Sequence, residues 1–193
     1  MKVILDNGHG IETPGKRSPV WPDGTQLFEY EFNRDIVNRL HEALRSSGIP
    51  SVILVPEKTD VRLVERVVRA DKIFKAEPGS FLISVHANAG GGTGWEAFTS
   101  EGETESDKIA TALYESAANV LPDWRMRTDT TDGDPDKESQ FYIIRKTRCP
   151  AVLTENLFMD TEKDCRFIMS EAGRKKIVKL HLDGIKKFLK SRS

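Results

Sequence analysis

The sequence predicts a single α/β domain with a mostly parallel, twisted sheet that carries helices on both faces. Short apolar runs rich in β-branched residues alternate along the chain with longer segments of helical periodicity. Runs in which successive residues are all apolar are typical of strands buried on both faces, as in parallel sheets. The repeating order of strand and helix therefore indicates the α/β class.

Five apolar runs are the candidate strands, and each has the length of an ordinary strand. They are Val3–Leu5, Val52–Val55, Phe81–Val85, Phe141–Ile144 and Ala151–Leu153. None approaches the roughly 18 apolar residues that a membrane span requires, so we expect no transmembrane segment.

Helical patterns occupy the intervals between these runs. The first extends roughly from Phe28 to Ser47, where apolar residues recur on one stripe, and Gly48 stops it. We expect further helices at about Asp60–Lys75, Glu103–Leu121, Glu162–Met169 and Glu171–Lys190. Two segments are predicted loops: Asn7–Leu27, which is rich in glycine and proline, and Met126–Lys137, which carries Asp129, Asp132, Asp134 and Asp136.

Composition and charge narrow the class of protein. The 193 residues include 29 Lys and Arg against 30 Asp and Glu, and this net charge of −1 gives no indication of nucleic-acid binding.

The N-terminal segment does not resemble a secretory signal. Only three apolar residues separate Lys2 from Asp6, whereas a secretory signal needs about 7–15 apolar residues. We therefore expect synthesis in the cytoplasm without a signal peptide, unless a leader has been removed. Two cysteines make no disulfide framework, so Cys149 and Cys165 are expected to be free thiols.

Two histidines directly follow two of the predicted strands. His9 lies in the segment Asp6–Gly10 after the first strand, and His86 lies in Ser84–Gly90 after the third. Because the carboxyl ends of parallel strands share one edge of a sheet, where ligands bind, both are candidates to hold one metal ion. Spacing alone leaves open the alternative of two unrelated loop histidines.

A third ligand is expected from the first turn of the first helix, which begins near the same edge. Helical spacing aligns Glu29 with the inward apolar stripe and Glu31 with a polar, outward face. An inward carboxylate without a basic partner is costly unless a cation pairs with it. The alternative, that the carboxylate only favours the helix dipole, describes Glu31 better than Glu29.

Glu155 follows an apolar strand and reaches the same edge if that strand is parallel to the others. A carboxylate beside a metal commonly acts as general base and then general acid in zinc hydrolases. The alternative is a strand-end glutamate that faces solvent. Two histidines and one carboxylate form a known catalytic zinc set, which indicates hydrolysis of an amide, ester or similar bond without identifying the substrate.

Taken in order, the motifs resemble the type 3 family of zinc-dependent N-acetylmuramoyl-L-alanine amidases over nearly the whole chain. The resemblance begins with Ile4–Gly10, similar to a strand followed by D-x-G-H-G, and with Glu29–Asn33, similar to E-x-x-x-N. It continues through Asp60, Leu63, Arg66, Ala70, Ser84–Ala89, Gly94–Glu96, Ile144–Thr147 and Pro150–Glu155. The sequence departs from the family at Ile11, where a second glycine is common, and at Asn156–Phe158, where a small residue and Gly-Phe are usual.

The resemblance implies one zinc ion held by His9, Glu29 and His86, with Glu155 as the catalytic acid and base. It implies cleavage of peptidoglycan between the lactyl group of N-acetylmuramic acid and L-alanine. We expect residues 1–193 to form one monomeric catalytic domain without a separate wall-binding domain. Such a protein would act on the cell wall, either after release as a phage-type lysin or as the catalytic domain of a larger autolysin. The alternatives are a zinc peptidase or deacetylase with another substrate, and a catalytically silent wall-binding module.

Several further residues are assigned from the sequence. We expect Arg145 and Asn88 to contact substrate, Arg145 through a stem-peptide carboxylate, although a structural ion pair is the alternative for Arg145. His41 and His181 are interpreted as structural or surface residues. The Asp129–Asp136 loop lacks the glycine and distal glutamate of an EF-hand and is interpreted as a mobile acidic loop. The basic C-terminal helix is interpreted as amphipathic and solvated, with attraction to anionic wall polymer as the alternative.

Overall fold

A six-stranded sheet organises the part of the chain described by a computed structural model, which comprises residues 1–131 and 133–192. The elements in chain order are β1 (Val3–Asn7), α1 (Glu29–Ser46), β2 (Ser51–Ile53), α2 (Leu63–Ala76), β3 (Phe81–Asn88), β4 (Trp95–Thr99), α3 (Glu105–Val120), β5 (Lys137–Glu138), α4 (Tyr142–Lys146), β6 (Ala151–Phe158), α5 (Glu162–Met169) and α6 (Glu171–Ser191). Asp132, which belongs to the predicted acidic loop, and Ser193 lie outside the described residues.

The strand order in the sheet is β2-β1-β3-β6-β4-β5. Strands β2, β1, β3 and β6 run parallel, β4 is antiparallel to β6, and β5 runs parallel to β4. The predicted α/β class and mostly parallel sheet are therefore confirmed. Because β1, β3 and β6 are adjacent and parallel, their carboxyl ends meet at one edge of the sheet.

Helices cover both faces of the sheet, and the side chains of each strand alternate between the two faces. Ile4 and Leu82 pack in a cluster with residues of α2 and α4. Val3 and Ile83 pack in a larger cluster with residues of α1, α3 and α6. This double burial is the reason that the central strands are continuously apolar in sequence. Among the described residues, no helix is both long enough and apolar enough to cross a bilayer.

One predicted strand is wrong. The run Phe141–Ile144 forms the N-cap and the first three residues of the short helix α4, whose Ile143 and Ile144 are buried in the cluster on the α2 side of the sheet. A short apolar run does not distinguish a buried strand from a buried helical turn, so tertiary packing decides between them. The predicted long helices are present, although α2 begins at Leu63 rather than near Asp60. Both cysteines are free thiols, as expected, and the structure places both in the interior.

His181 is a structural residue in the core, fully buried on α6. Its Nδ1 lies 2.8 Å from the carbonyl oxygen of Ile177, and its Nε2 lies 3.0 Å from the hydroxyl of Thr154. The ring donates from Nδ1 to the carbonyl and accepts at Nε2 from the hydroxyl, which only the neutral ring can do. Burial lowers the pKa of His181 from 6.5 to about 4.

We expect acid to destabilise the protein through His181. The unfolded chain binds a proton at this ring near pH 6.5, whereas the folded protein binds it only near pH 4. Above pH 6.5 the ring is neutral in both states, and the folded protein has its full stability with respect to this residue. As the pH falls from 6.5 toward 4, the free energy of unfolding decreases by up to about 3 kcal/mol. Urea denaturation across this range measures the loss. The fall should be smaller in His181→Gln, and an equal fall in both proteins would contradict the assignment.

Candidate active site

The three side chains predicted to bind a metal converge at the carboxyl edge of the sheet. Nε2 of His9 lies 3.3 Å from Oε1 of Glu29, and Nδ1 of His86 lies 3.1 Å from the same oxygen. The two imidazole centroids are 4.9 Å apart, and the rings are nearly perpendicular. One ligand atom from each side chain lies within 4.8 Å of the other two. The fold therefore places two nitrogens and one oxygen around a common point.

A tight turn after β1 positions His9. The residue has a φ of +65°, in the left-handed region that residues with a side chain rarely adopt. Its carbonyl oxygen accepts a 2.8 Å hydrogen bond from Nη1 of Arg34 on α1, which holds the turn. A Cβ at Gly8 would lie only 2.0 Å from Cε1 of His86, so glycine is required beside the histidine.

Glu29 is the first residue of α1, and only 1% of it is exposed. One turn later, Nδ2 of Asn33 donates to the Gly8 carbonyl at 3.0 Å and to Oε1 of Glu29 at 3.4 Å. Glu31 lies on the exposed face of the helix and accepts a hydrogen bond from Tyr30. Helical spacing thus correctly identifies which of the two carboxylates points inward.

Mutual interactions shift the pKa values of these three groups. Burial opposes ionisation of Glu29, but the hydrogen bonds and charges of His86 and His9 outweigh it and hold the Glu29 pKa well below its ordinary value. Burial also opposes protonation of His86, but the Glu29 carboxylate raises the His86 pKa above 6.5. At His9 burial dominates and lowers the pKa below 6.5. An ionised carboxylate thus lies between two imidazoles, and this arrangement is suited to binding a cation.

The donor set fits a divalent transition metal such as zinc. Oε2 of Glu29 is buried and has no hydrogen-bond partner in the described chain, and Nζ of Lys16 lies 3.9 Å from it. A buried carboxylate oxygen without a partner is costly, and a bound cation removes that cost. Two imidazoles and one carboxylate are the ligand set of a class of catalytic zinc sites that keep a further position open.

Glu155 lies beside these residues on β6. It pairs with His86 of β3 in the parallel register and with Glu96 of β4 in the antiparallel register. Burial, supported by the charge of Glu29, raises the pKa of Glu155 to about 7 although His86 acts in the opposite direction. Its Oε2 is buried and has no hydrogen-bond partner among the residues described. A carboxyl group with a pKa near neutrality can both accept and deliver a proton.

These residues open onto one cavity of about 410 Å³, a volume typical of ligand sites. His9, His86 and Glu155 line it together with the cations Lys16 and Arg62. Two surface depressions elsewhere are larger, at about 530 Å³ each, but none of these five residues lines them. The chemistry, rather than the size of the space, therefore identifies the candidate active site.

A sequence model of the N-acetylmuramoyl-L-alanine amidase family, Amidase_3, matches residues 3–187. The chain belongs to this amidase family. The match confirms the family and the class of enzyme that the order of the sequence motifs predicts.

Relatives of this amidase-family chain come from bacteria and from a phage. N-acetylmuramoyl-L-alanine amidase CwlM of Bacillus licheniformis is 27% identical over 188 residues, which cover 96% of this chain and 67% of CwlM. The endolysin of Bacillus phage SPP1 is 27% identical over 191 residues, which cover 97% of this chain and 65% of the endolysin. The chain thus spans about two thirds of the length of both relatives.

The fold is that of solved amidase structures. The crystal structure of an N-acetylmuramoyl-L-alanine amidase from Clostridium difficile 630 superposes with a TM-score of 0.85 at 23% sequence identity, covering 100% of this chain and 98% of that chain. AmiC2 of Nostoc punctiforme superposes with a TM-score of 0.81 at 21% identity, covering 98% and 97% of the two chains.

A bulge follows Glu155 at the point where the sequence departs from the usual amidase pattern. His86 pairs with Glu155 but Asn88 pairs with Phe158, so β6 contains one more residue than β3 between these pairs. Leu157 within this bulge has a φ of +67° and is fully buried. Glycine, the usual residue here in the family, adopts such a φ without strain. In this chain a buried leucine supplies the left-handed conformation instead.

The two predicted substrate contacts are not among the residues that line the catalytic cavity. Arg145 is exposed on α4, a helix and not the strand expected from the apolar run that precedes it, and it does not line the cavity. Asn88 ends β3, where its Nδ2 donates to Oε1 of Glu96 at 2.5 Å. Asn88 also does not line the cavity. A role of either residue in substrate binding remains a prediction.

Sequence reasoning missed the residues that support the ligands. Arg66 of α2 forms a 2.7 Å ion pair with Asp6 of β1, and both side chains are only 2% exposed. Ser84 of β3 donates to the other oxygen of Asp6 at 2.6 Å. Arg66 and Asp6 each belong to a motif of the amidase pattern, but only the pairing of β1 with β3 and the packing of α2 bring these groups together.

Proposed function

We propose that this chain is a zinc-dependent N-acetylmuramoyl-L-alanine amidase. It would hydrolyse the amide bond between the lactyl group of N-acetylmuramic acid and L-alanine in peptidoglycan, and so lyse or remodel the bacterial cell wall. The observation that carries the proposal is the convergence of His9, Glu29 and His86 beside Glu155 in a chain of the amidase family. Similarity to a phage endolysin and to bacterial amidases supports action on the wall.

His9, Glu29 and His86 are the residues that would hold one zinc ion. When bound, zinc polarises the scissile carbonyl as a Lewis acid and makes water acidic enough to react near neutral pH. The buried position of Glu29 and the hydrogen bond from Asn33 keep its carboxylate beside the two imidazoles.

Glu155 is the residue that would move protons. It takes a proton from the attacking water as the new C–O bond forms, and it passes a proton to the alanine nitrogen as the C–N bond breaks. An amine anion is a very poor leaving group, so this second transfer is needed for the tetrahedral species to collapse. The products are the lactyl carboxylate and a free amino terminus on L-alanine.

Product analysis on intact peptidoglycan tests this proposal. The zinc-loaded protein should release L-alanine amino termini while the glycan chains stay whole. A chelator should abolish the release, and added zinc should restore it. A deacetylase would instead free acetate, and a zinc peptidase would free the amino terminus of another residue. Either of those products, or no product at all, would overturn the proposed function.

A matched pair of variants tests the metal ligands within the same experiment. Glu29→Ala and Glu31→Ala each remove one carboxylate from the first turn of α1, but only Glu29 is buried at the site. Glu29→Ala should lose both zinc and activity, whereas Glu31→Ala should keep both. Atomic absorption on the purified proteins measures the zinc content. The opposite pattern would show that the ligand assignment on α1 is wrong.

A further inference from the structure

We propose that Ser84 is a positioning residue that holds His86 in the orientation and tautomer needed to bind the metal. This inference rests on the proposed zinc site and adds a residue outside the ligand set and Glu155. Ser84 lies two residues before His86 on β3, so both side chains project from the same face of the strand. Ser84 is fully buried, and its hydroxyl therefore depends on protein partners.

The surroundings of Ser84 fix the direction of its hydroxyl proton. Oγ of Ser84 lies 2.6 Å from Oδ2 of Asp6 and 3.1 Å from Nε2 of His86. An ionised carboxylate only accepts hydrogen bonds, so the single hydroxyl proton points to Asp6. The oxygen then faces His86 as an acceptor, and Nε2 of His86 must carry the hydrogen that it donates to Ser84.

Arg66 pairs with Asp6 and holds it in place. Its Nη1 lies 2.7 Å from Oδ1 of Asp6 and donates to the carbonyl of Asn7, also at 2.7 Å. Its Nε donates to the carbonyl of Val61 at 2.8 Å, which anchors the guanidinium from a second side. One oxygen of Asp6 is therefore held by Arg66, and the other is held by Ser84. The three side chains form a buried chain that ends at Nε2 of His86.

This chain determines which ring nitrogen of His86 is free. With the hydrogen on Nε2, the neutral ring presents its lone pair at Nδ1. Nδ1 is the nitrogen that lies 3.1 Å from Oε1 of Glu29, where the three candidate ligand atoms converge. The other tautomer would place a hydrogen where the metal binds. Metal-binding histidines commonly donate their second ring nitrogen to a nearby acceptor, which fixes the ring and raises its basicity.

Packing against the turn after β1 supports the same orientation. A Cβ at Gly8 would lie 2.0 Å from Cε1 and 2.4 Å from Nε2 of His86, so this edge of the ring lies directly on the backbone of the turn. Turning the ring over would remove the contacts with both Ser84 and Glu29. The hydrogen bond from Ser84 and the close packing at Gly8 therefore select one ring orientation together.

Zinc affinity, measured by competition with a chromophoric chelator, tests the role of Ser84. Ser84→Ala should raise the zinc dissociation constant by roughly 10- to 100-fold, the effect expected when such a partner is lost. Ser84→Thr keeps the hydroxyl and should remain within about threefold of the wild type. Ser80→Ala is the matched control because it makes the same change at a buried serine just before β3, whose hydroxyl contacts only the backbone of Lys2 and Glu77 among the residues described. It should also stay within about threefold of the wild type.

Nitrogen NMR of His86 in the zinc-loaded wild-type protein gives a second test that needs no variant. Nδ1 should show the shift of a metal-bound nitrogen, and Nε2 should carry a hydrogen. Zinc on Nε2, or a folded Ser84→Ala protein that binds zinc as tightly as the wild type, would overturn this inference and leave the proposed amidase activity intact. A wild-type protein that binds no zinc would instead overturn the proposed function.

Discussion

Replacing Glu155 with glutamine should lower the turnover of peptidoglycan by at least about 100-fold, while the zinc content and the thermal stability stay unchanged. Glutamine keeps the shape of the side chain but cannot take up a proton and pass it on. A 100-fold loss corresponds to about 2.7 kcal/mol of transition-state stabilisation. General acid and base catalysis by one residue commonly contributes about 10²–10⁴-fold, so the loss should fall in this range.

The surroundings of Glu155 are the reason to expect so large an effect. Burial raises its pKa to about 7 in the metal-free protein, well above the ordinary range of a carboxyl group, and this environment suits a residue that both takes up and delivers a proton. In the described chain its Oε2 has no hydrogen-bond partner that would hold it in either state. Because the proton transfers occur in the transition state, kcat should fall while KM changes little.

Zinc content, thermal melting and release of amino termini should be measured on one purified sample of Glu155→Gln. Glu31→Gln is the control, since it makes the same chemical change on the exposed face of α1. The control should keep near wild-type turnover. Full zinc occupancy with near wild-type activity in Glu155→Gln would remove Glu155 from the mechanism.

The central strands could be predicted from the sequence because they are buried on both faces. β1, β3 and β6 each carry a continuous apolar run of at least three residues. β4 and β5 were not among the predicted apolar runs, since β5 has two residues and the direction of β4 depends on its pairing with β6. The apolar run in α4 is ambiguous in sequence, and only packing makes it helical.

The candidate ligands could be predicted because local rules place them. His9 and His86 follow strands that share an edge, and helical spacing turns Glu29 inward. The supporting group of Asp6, Ser84 and Arg66 could not be predicted from the sequence, because its contacts join two strands and a helix that are far apart in the chain. Short-range patterns identify residues with unusual chemistry, but long-range packing decides which of them meet.

Replacing Arg66 with methionine should lower the free energy of unfolding by about 3–5 kcal/mol, because it leaves a buried charge without its partner. Arg66 and Asp6 are each 2% exposed, and their ion pair is 2.7 Å long. Methionine replaces much of the aliphatic stem of arginine but leaves the Asp6 carboxylate without a cation. It also removes the donors to the carbonyl groups of Asn7 and Val61. The melting temperature should fall by roughly 2–4 °C for each kcal/mol lost.

Arg69→Met is the matched control on the same helix. Arg69 pairs with Glu57 at 2.8 Å and with Glu65 at 3.1 Å, but it is 29% exposed and both partners can be solvated. Loss of such partly exposed pairs should cost only about 0–1 kcal/mol. Urea denaturation of both variants and the wild type, each freed of metal, compares them without any contribution from zinc binding. The prediction would be wrong if Arg66→Met lost no more stability than Arg69→Met, because the fold would then tolerate the Asp6 carboxylate without its cation. Arg66 would in that case orient Asp6 and Ser84 rather than stabilise the fold.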